Sequence, residues 1–122
     1  PPVVLDGGHN LDGIAALVRA LKQQNIGPAT VIFGVLGDKS YRRMVQVLLP
    51  ACARVILIRP DSHRALNPEK LLPLFAPHVP TTLARTPEEA WALARNGNHP
   101  ILITGSLYLA GTFRNLLLGE AV

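Results

Sequence analysis

Cysteine and long apolar runs are both scarce in this sequence, and each scarcity excludes a class of protein. The single Cys52 excludes an internal disulfide and a zinc site built from several cysteines. One cysteine also fits a reducing compartment, so we expect a cytoplasmic protein. No apolar run is long enough to span a bilayer, and no charged-then-apolar leader opens the sequence. We therefore expect no membrane partner.

Aromatic residues and an excess of one charge are also limited. The formal net charge of +4 suits an anionic partner, but the basic residues are scattered. Aromatic residues make up 5% of the chain and do not interleave with the basic ones, as they do in nucleic-acid grooves. We expect no nucleic-acid partner. The composition that remains, 48% apolar over 122 residues, is that of one globular domain with its own core.

Short strand-like segments alternate with amphipathic helical segments along the chain. The strand-like segments are β-branched and mostly unalternating, which is typical of strands covered on both faces. This alternation predicts a Rossmann-like three-layer α/β/α sandwich with a mainly parallel sheet. The predicted strands are Val3–Leu5, Thr30–Val35, Arg54–Ile58, Thr81–Leu83 and Pro100–Thr104.

Several helix ends carry recognisable signals. Asn67 before Pro68 is a cap followed by a first-turn proline. Thr86 and Glu89 have the spacing of a capping box, in which each side chain reaches the other residue's amide. Gly97 is predicted to end that helix in a left-handed conformation.

The loops after the strands are where a parallel sheet collects ligands. The first is Asp6-Gly7-Gly8-His9-Asn10, in which the glycines permit close approach of the backbone to a ligand. Asp6 could accept ribose hydroxyls or hold a cation, and His9 could act as a base. The alternative is a tight turn into a helix, capped by Asn10 or Asp12.

Two further loops carry charge. Residues 34–40 read GVLGDKS and lack the spacing of a phosphate loop. One interpretation is that Ser40 caps the next helix and that Asp38 and Lys39 form a surface turn. The other is that Asp38 and Lys39 face a cleft. Residues 59–67 hold two arginines and His63 and could touch anions, although a solvated loop is the simpler interpretation.

The fourth loop, Thr104-Gly105-Ser106-Leu107-Tyr108, follows the last strand. Ser106 either caps the final helix or binds a carboxylate. The Gly-x-Ser-x-Gly pattern of a nucleophile elbow is absent from this loop.

Three quoted segments together resemble folylpolyglutamate and dihydrofolate synthases. VVLDGGHNLDGI resembles their Asp-Gly-Ala-His-Asn-Pro signature, FGVLGDKSYRRMVQVLLP resembles their segment around Asp-Lys-Asp, and ILITGSLYLAGTFRNLL resembles their closing Gly-Ser-Leu-Tyr-Leu segment. The order and spacing match over nearly the whole chain. The chain departs from the pattern at Gly8, Leu11 and Ser40, which stand where the family has Ala, Pro and a second acid.

The resemblance implies that residues 1–122 form one domain, the C-terminal glutamate-ligase domain that this family shares with the Mur ligase superfamily. It implies the sheet order 1-5-2-3-4, with a further antiparallel strand before Pro1. It also implies a larger N-terminal domain, absent here, whose phosphate loop binds Mg²⁺ and most of the ATP triphosphate.

The resemblance also implies an activity, ATP-dependent addition of glutamate to folate or dihydropteroate through an acyl phosphate. Asp6 would contact the ATP ribose, His9 would place glutamate or its attacking amine as the catalytic residue, and Ser106 would bind the glutamate carboxylate. No metal ligand is expected in this chain. The implied partners are ATP, L-glutamate, the folate substrate and the protein's own N-terminal domain, and we expect a monomer. The alternatives are another Mur-superfamily amino-acid ligase, and a non-catalytic module that binds a nucleotide or an amino acid.

Overall fold

A five-stranded sheet forms the centre of the protein in the computed structural model, which describes residues 2–121 and the side chains of residues 2–119. The strand order is β1-β5-β2-β3-β4, and all four neighbouring pairs are parallel. The expected order 1-5-2-3-4 is therefore confirmed, while the antiparallel strand expected before Pro1 lies outside the described residues. The strands are β1 Val3–Leu5, β2 Ala29–Phe33, β3 Cys52–Leu57, β4 Thr81–Leu83 and β5 Ile101–Thr104.

Helices cover both faces of the sheet, so the predicted three-layer α/β/α class is confirmed. Consecutive residues of a strand point to opposite faces. Val31 and Phe33 therefore pack with Ile14 and Met44 on one face, whereas Ile32 packs under the helices of the other. The helices are α1 Leu11–Gln23, α2 Tyr41–Leu48, α3 Leu72–Phe75, α4 Pro87–Arg95 and α5 Leu107–Ala121, with 3₁₀ turns at Leu49–Ala51 and Pro68–Lys70. None of these helices, all within residues 2–121, is both long and apolar enough to cross a membrane.

The caps predicted at Asn10 and Thr86 are confirmed, and three other details of the helix starts differ. Asn10 caps α1 by accepting from the Gly13 amide at 2.8 Å, and Thr86 caps α4 by accepting from the Glu89 amide at 3.1 Å. The return bond from the Glu89 side chain to the Thr86 amide is not formed among the described residues. Asn67 caps a 3₁₀ turn rather than an α-helix. Ser40 precedes α2, but its hydroxyl makes no capping bond there.

The prediction that Gly97 ends α4 in a left-handed conformation is wrong. The glycines with positive φ among the described residues are Gly27 and Gly105. The end of α4 is instead satisfied by Arg54 of β3, whose Nη2 donates to the carbonyl oxygens of Leu93 at 2.7 Å and of Ala94 and Asn96 at 3.1 Å. A side chain from the sheet supplies the donors, so the carbonyls need no glycine cap.

Cys52 is a packing residue of the core. Its thiol is buried and donates to the Leu48 carbonyl at 3.3 Å. Burial disfavours the charged thiolate and raises the pKa of Cys52 to about 12.

Candidate functional site

The loops that follow β1, β5 and β2 meet at the carboxyl edge of the sheet. The Gly105 amide donates to the Gly8 carbonyl at 3.0 Å, and the Gly34 amide donates to the Thr104 carbonyl at 3.4 Å. Gly105 has a φ of 111°, and a Cβ placed there would collide with the Gly34 carbonyl. Residues almost a hundred positions apart in sequence are thus held together at one edge.

The loop after β1 holds the Asp6 carboxylate in a defined orientation. The Asp6 amide continues the sheet by donating to the Ile103 carbonyl at 3.0 Å. The Asp6 Oδ2 accepts from the Gly8 amide at 2.7 Å. A Cβ at Gly8 would stand 2.6 Å from that oxygen, so an alanine there would displace the carboxylate. Oδ1 accepts no hydrogen bond from the described residues, which leaves it available to a ligand.

His9 is half-buried beside this carboxylate and is oriented by its own loop. Its Nδ1 lies 3.2 Å from the Gly7 carbonyl oxygen. In the tautomer that carries hydrogen on Nδ1, this contact is a hydrogen bond, and Nε2 keeps a lone pair. An imidazole held this way can accept a proton from a ligand.

Ser106 lies in the turn into α5, and its hydroxyl acts as the helix cap. The Oγ accepts from the Tyr108 amide at 3.1 Å and from the Leu109 amide at 3.4 Å. The residue is fully buried, with 0% of its surface exposed. Its loop meets the His9 loop through Gly8 and Gly105, but the described residues show no hydrogen bond between the His9 and Ser106 side chains. A role of Ser106 toward glutamate stays a prediction.

Charged residues from two other loops share a hollow with His9. This hollow is also lined by Lys39 from the loop after β2 and by Arg64 from the loop after β3. The two loops are joined where the Gly37 amide donates to the Arg64 carbonyl at 2.9 Å. Arg64 also makes an exposed ion pair with Asp38 at 3.2 Å. Of the two charged residues that were expected either in a surface turn or facing a cleft, Lys39 lines this hollow, whereas Asp38 pairs with Arg64 at the surface.

The sequence analysis did not predict that Lys39 and Arg64 lie near His9, although the sequence contains an indication of it. Both follow parallel strands, whose carboxyl ends lie at one edge. Thr104 was also given no role, yet its buried hydroxyl lies 3.5 Å from the Gly8 carbonyl. Among the described residues, no group of three His, Cys, Asp or Glu side chains could hold a metal ion.

Known proteins similar to this chain share one family. A model of the Mur ligase glutamate ligase domain matches residues 1–107. The chain is 42% identical to the folylpolyglutamate synthase of Lacticaseibacillus casei over 98% of its own length, and 30% identical to the dihydrofolate synthase/folylpolyglutamate synthase of Bacillus subtilis over 96%. It spans 28% of the length of each of these relatives.

A solved structure agrees with the sequence relatives. The folylpolyglutamate synthase of Mycobacterium tuberculosis, complexed with ADP, superposes on 93% of this chain with a TM-score of 0.84 and 28% identity. The chain covers 29% of that structure. Sequence and fold therefore lead to one conclusion: the chain belongs to the Mur ligase family, within its glutamate ligase domain.

Proposed function

We propose that this chain is the C-terminal domain of a longer ATP-dependent ligase that adds glutamate to folate or dihydropteroate. The 42% identity to a folylpolyglutamate synthase over 98% of the chain favours the folate branch over the other Mur ligases. The observation that carries the proposal is the carboxyl edge, where the Asp6 and His9 loop meets the turn before α5. The whole reaction consumes ATP, a carboxylate and the glutamate amine, and yields an amide, ADP and phosphate.

In this proposal Asp6 binds the ATP ribose. Its Oδ2 is engaged by the Gly8 amide, which orients the carboxylate and leaves Oδ1 to accept from a ribose hydroxyl. The two glycines that follow Asp6 permit the close approach that a ribose needs. The ADP complex of the Mycobacterium tuberculosis relative supports nucleotide binding in this family.

His9 receives a proton from the glutamate amine in the same proposal. Glutamate attacks only as a neutral amine, so a base with a free lone pair is required beside it. The Gly7 carbonyl favours the tautomer in which Nε2 is that base. Lys39 borders the same hollow and supplies positive charge for a carboxylate substrate.

Ser106 is proposed to act on the glutamate carboxylate through the start of α5. Its hydroxyl holds the first turn of that helix by accepting from the Tyr108 and Leu109 amides, and the positive dipole end of the helix favours a carboxylate. The fully buried side chain reaches a ligand directly only if the turn opens on binding. Following the family resemblance, we place Mg²⁺ and the triphosphate on the N-terminal domain.

The test uses the longer protein that contains this chain. We would incubate it with ATP, Mg²⁺, labelled glutamate and either dihydropteroate or tetrahydrofolate, and measure label in the folate product together with phosphate release. We expect both signals to require all components, and we expect the 122-residue chain alone to give neither. Glutamate transfer to a cell-wall precursor instead would favour another Mur ligase, and nucleotide binding without turnover would favour a binding module.

A further inference from the structure

A second hollow at the carboxyl edge of the sheet is lined by basic side chains. It lies between the loops after β3 and β4 and the first turns of α5, and has a cavity volume of about 580 Å³. Arg59 and His63 line it from the β3 loop, and Arg85 lines it from the β4 loop. We call it the basic hollow. Its volume lies within the usual range for ligand pockets.

The basic groups of this hollow are not used by the fold. In the part of the chain that the structure describes, the Arg59, His63 and Arg85 side chains make no hydrogen bond or ion pair. Two carboxylates lie nearby. Asp61 lines the basic hollow itself, and Glu69 lines a neighbouring hollow that Arg59 and Arg85 also border. Neither carboxylate pairs with an arginine in the described residues. The hollow therefore keeps positive charge available to an anion.

The basic hollow lies next to the hollow that contains His9, because sequence neighbours line the two. Arg64 lines the His9 hollow and its neighbour His63 lines the basic hollow, while α5 contributes Tyr108 to the first and Leu109 to the second. Adjacent strands lie about 4.8 Å apart, so β1 and β3, three places apart in the sheet, are separated by roughly 14 Å. Basic side chains thus line both hollows, from the His9 loop to the β3 and β4 loops.

We propose that the basic hollow binds the carboxylates of the glutamate tail already attached to a folate substrate. This rests on the proposed function, and assigns the tail a path away from the reacting end at His9. An extended chain of about two to four glutamates spans such a distance. A compact phosphate fits less well, because Pro60 and Pro87 line the hollow and lack the amide hydrogens that form phosphate nests.

The test compares substrates with one glutamate and with four, using the longer enzyme. We would measure kcat/KM for the wild type, for the double variant Arg59→Ala/Arg85→Ala, and for Arg43→Ala as the control. Arg43 is exposed on α2, at the other face of the sheet. We expect the double variant to lose about three- to thirtyfold toward the tetraglutamate, less at high salt, and under twofold toward the monoglutamate. Equal losses for both substrates, or no loss for the tetraglutamate, would overturn the proposal.

A binding measurement separates this inference from the proposed function. We would titrate the same proteins with a free γ-linked tetraglutamate peptide, and separately with inorganic triphosphate, by calorimetry. Peptide binding that the double variant loses and Arg43→Ala keeps would support the basic hollow even if the wild type ligated no folate. Binding of triphosphate but not of the peptide, or equal peptide binding by all three proteins, would contradict it.

Discussion

Arg54 and the loop after β1 use their polar groups in opposite ways. Arg54 lies near the start of β3 and donates four hydrogen bonds, one to Thr30 and three to the carbonyl oxygens that end α4. Asp6 and His9 lie after the end of β1, and in the part of the chain that the structure describes their side chains hydrogen-bond only to groups two residues away. The Arg54 donors hold tertiary structure together. The β1 loop instead orients the Asp6 carboxylate and the His9 ring and leaves one carboxylate oxygen and one ring nitrogen without a hydrogen bond from the described residues.

This difference offers a way to tell a structural polar residue from a ligand-binding one. A side chain whose hydrogen-bonding capacity is met by distant parts of the chain contributes to stability. A side chain that is half-buried and held by its own loop, with capacity to spare, costs little stability to remove and is available to a substrate. Variants of the two regions should therefore separate activity from stability.

The largest effect is expected for His9→Ala in the longer enzyme. If His9 deprotonates the attacking amine, its loss should lower kcat by about 10²–10⁴-fold, the usual range for a general base. The unfolding midpoint should change little, because the one hydrogen bond that the described residues give the ring is to the Gly7 carbonyl oxygen of its own loop. Single-turnover kinetics at saturating ATP and glutamate would measure this. A wild-type kcat in the variant would make His9 a turn residue.

Arg54→Ala should give the opposite result. It removes the guanidinium donor from the Leu93 and Ala94 carbonyl oxygens, of which Leu93 keeps the Asn96 amide at 3.3 Å, and should lower the free energy of unfolding by about 2–3 kcal/mol. Urea denaturation measures the loss, with Arg43→Ala as the exposed control, which we expect to shift stability by no more than about 0.5 kcal/mol. The folded fraction of Arg54→Ala should keep wild-type kcat/KM. A kinetic defect without a stability defect would contradict the comparison.

Asp6→Ala should weaken ATP use by roughly ten- to a hundredfold, or about 1.5–3 kcal/mol, because a charged acceptor for the ribose is lost. Asp6→Asn keeps an oxygen that can accept from the Gly8 amide but loses the charge, so it separates loop geometry from ligand binding. The measurement is the dependence of the initial rate on ATP concentration. Unchanged ATP dependence in Asp6→Ala would show that the ribose lies elsewhere.

Ser106→Ala is expected to have the smallest effect. It should show whether Ser106 is a structural polar residue like Arg54 or a ligand-binding residue like Asp6 and His9. Loss of the cap should cost about 1 kcal/mol of stability, as should Thr86→Ala, which removes the matching cap of α4. Only Ser106→Ala should also raise the KM for glutamate. Its effect should couple to that of His9→Ala by about 0.5–3 kcal/mol in a double-mutant cycle on kcat/KM, since both would address one ligand. Strict additivity with an unchanged glutamate KM would leave Ser106 as a cap only.

The strands, layers and strand order could be predicted because apolar runs and caps report on local structure and the resemblance supplied the topology. The end of α4 could not be predicted, because Arg54 reaches it from β3, about forty residues earlier, and no local pattern records that contact. The approach of Lys39 and Arg64 to His9 was missed for the same reason, since it depends on how two separate loops pair. The burial of Ser106 could not be predicted either, because it depends on how α5 packs against the rest of the fold.

The most direct test of the account is amide hydrogen exchange in the longer enzyme, with and without a non-hydrolysable ATP analogue and glutamate. Asp6 to Asn10 and Leu93 to Gly97 are two short segments that can be followed in one experiment. We predict that ligands slow exchange at residues 6–10 and leave residues 93–97 unchanged, because only the first segment faces the proposed site. Equal slowing of both segments, or slowing of residues 93–97 alone, would contradict the assignment of the β1 loop as the ligand site.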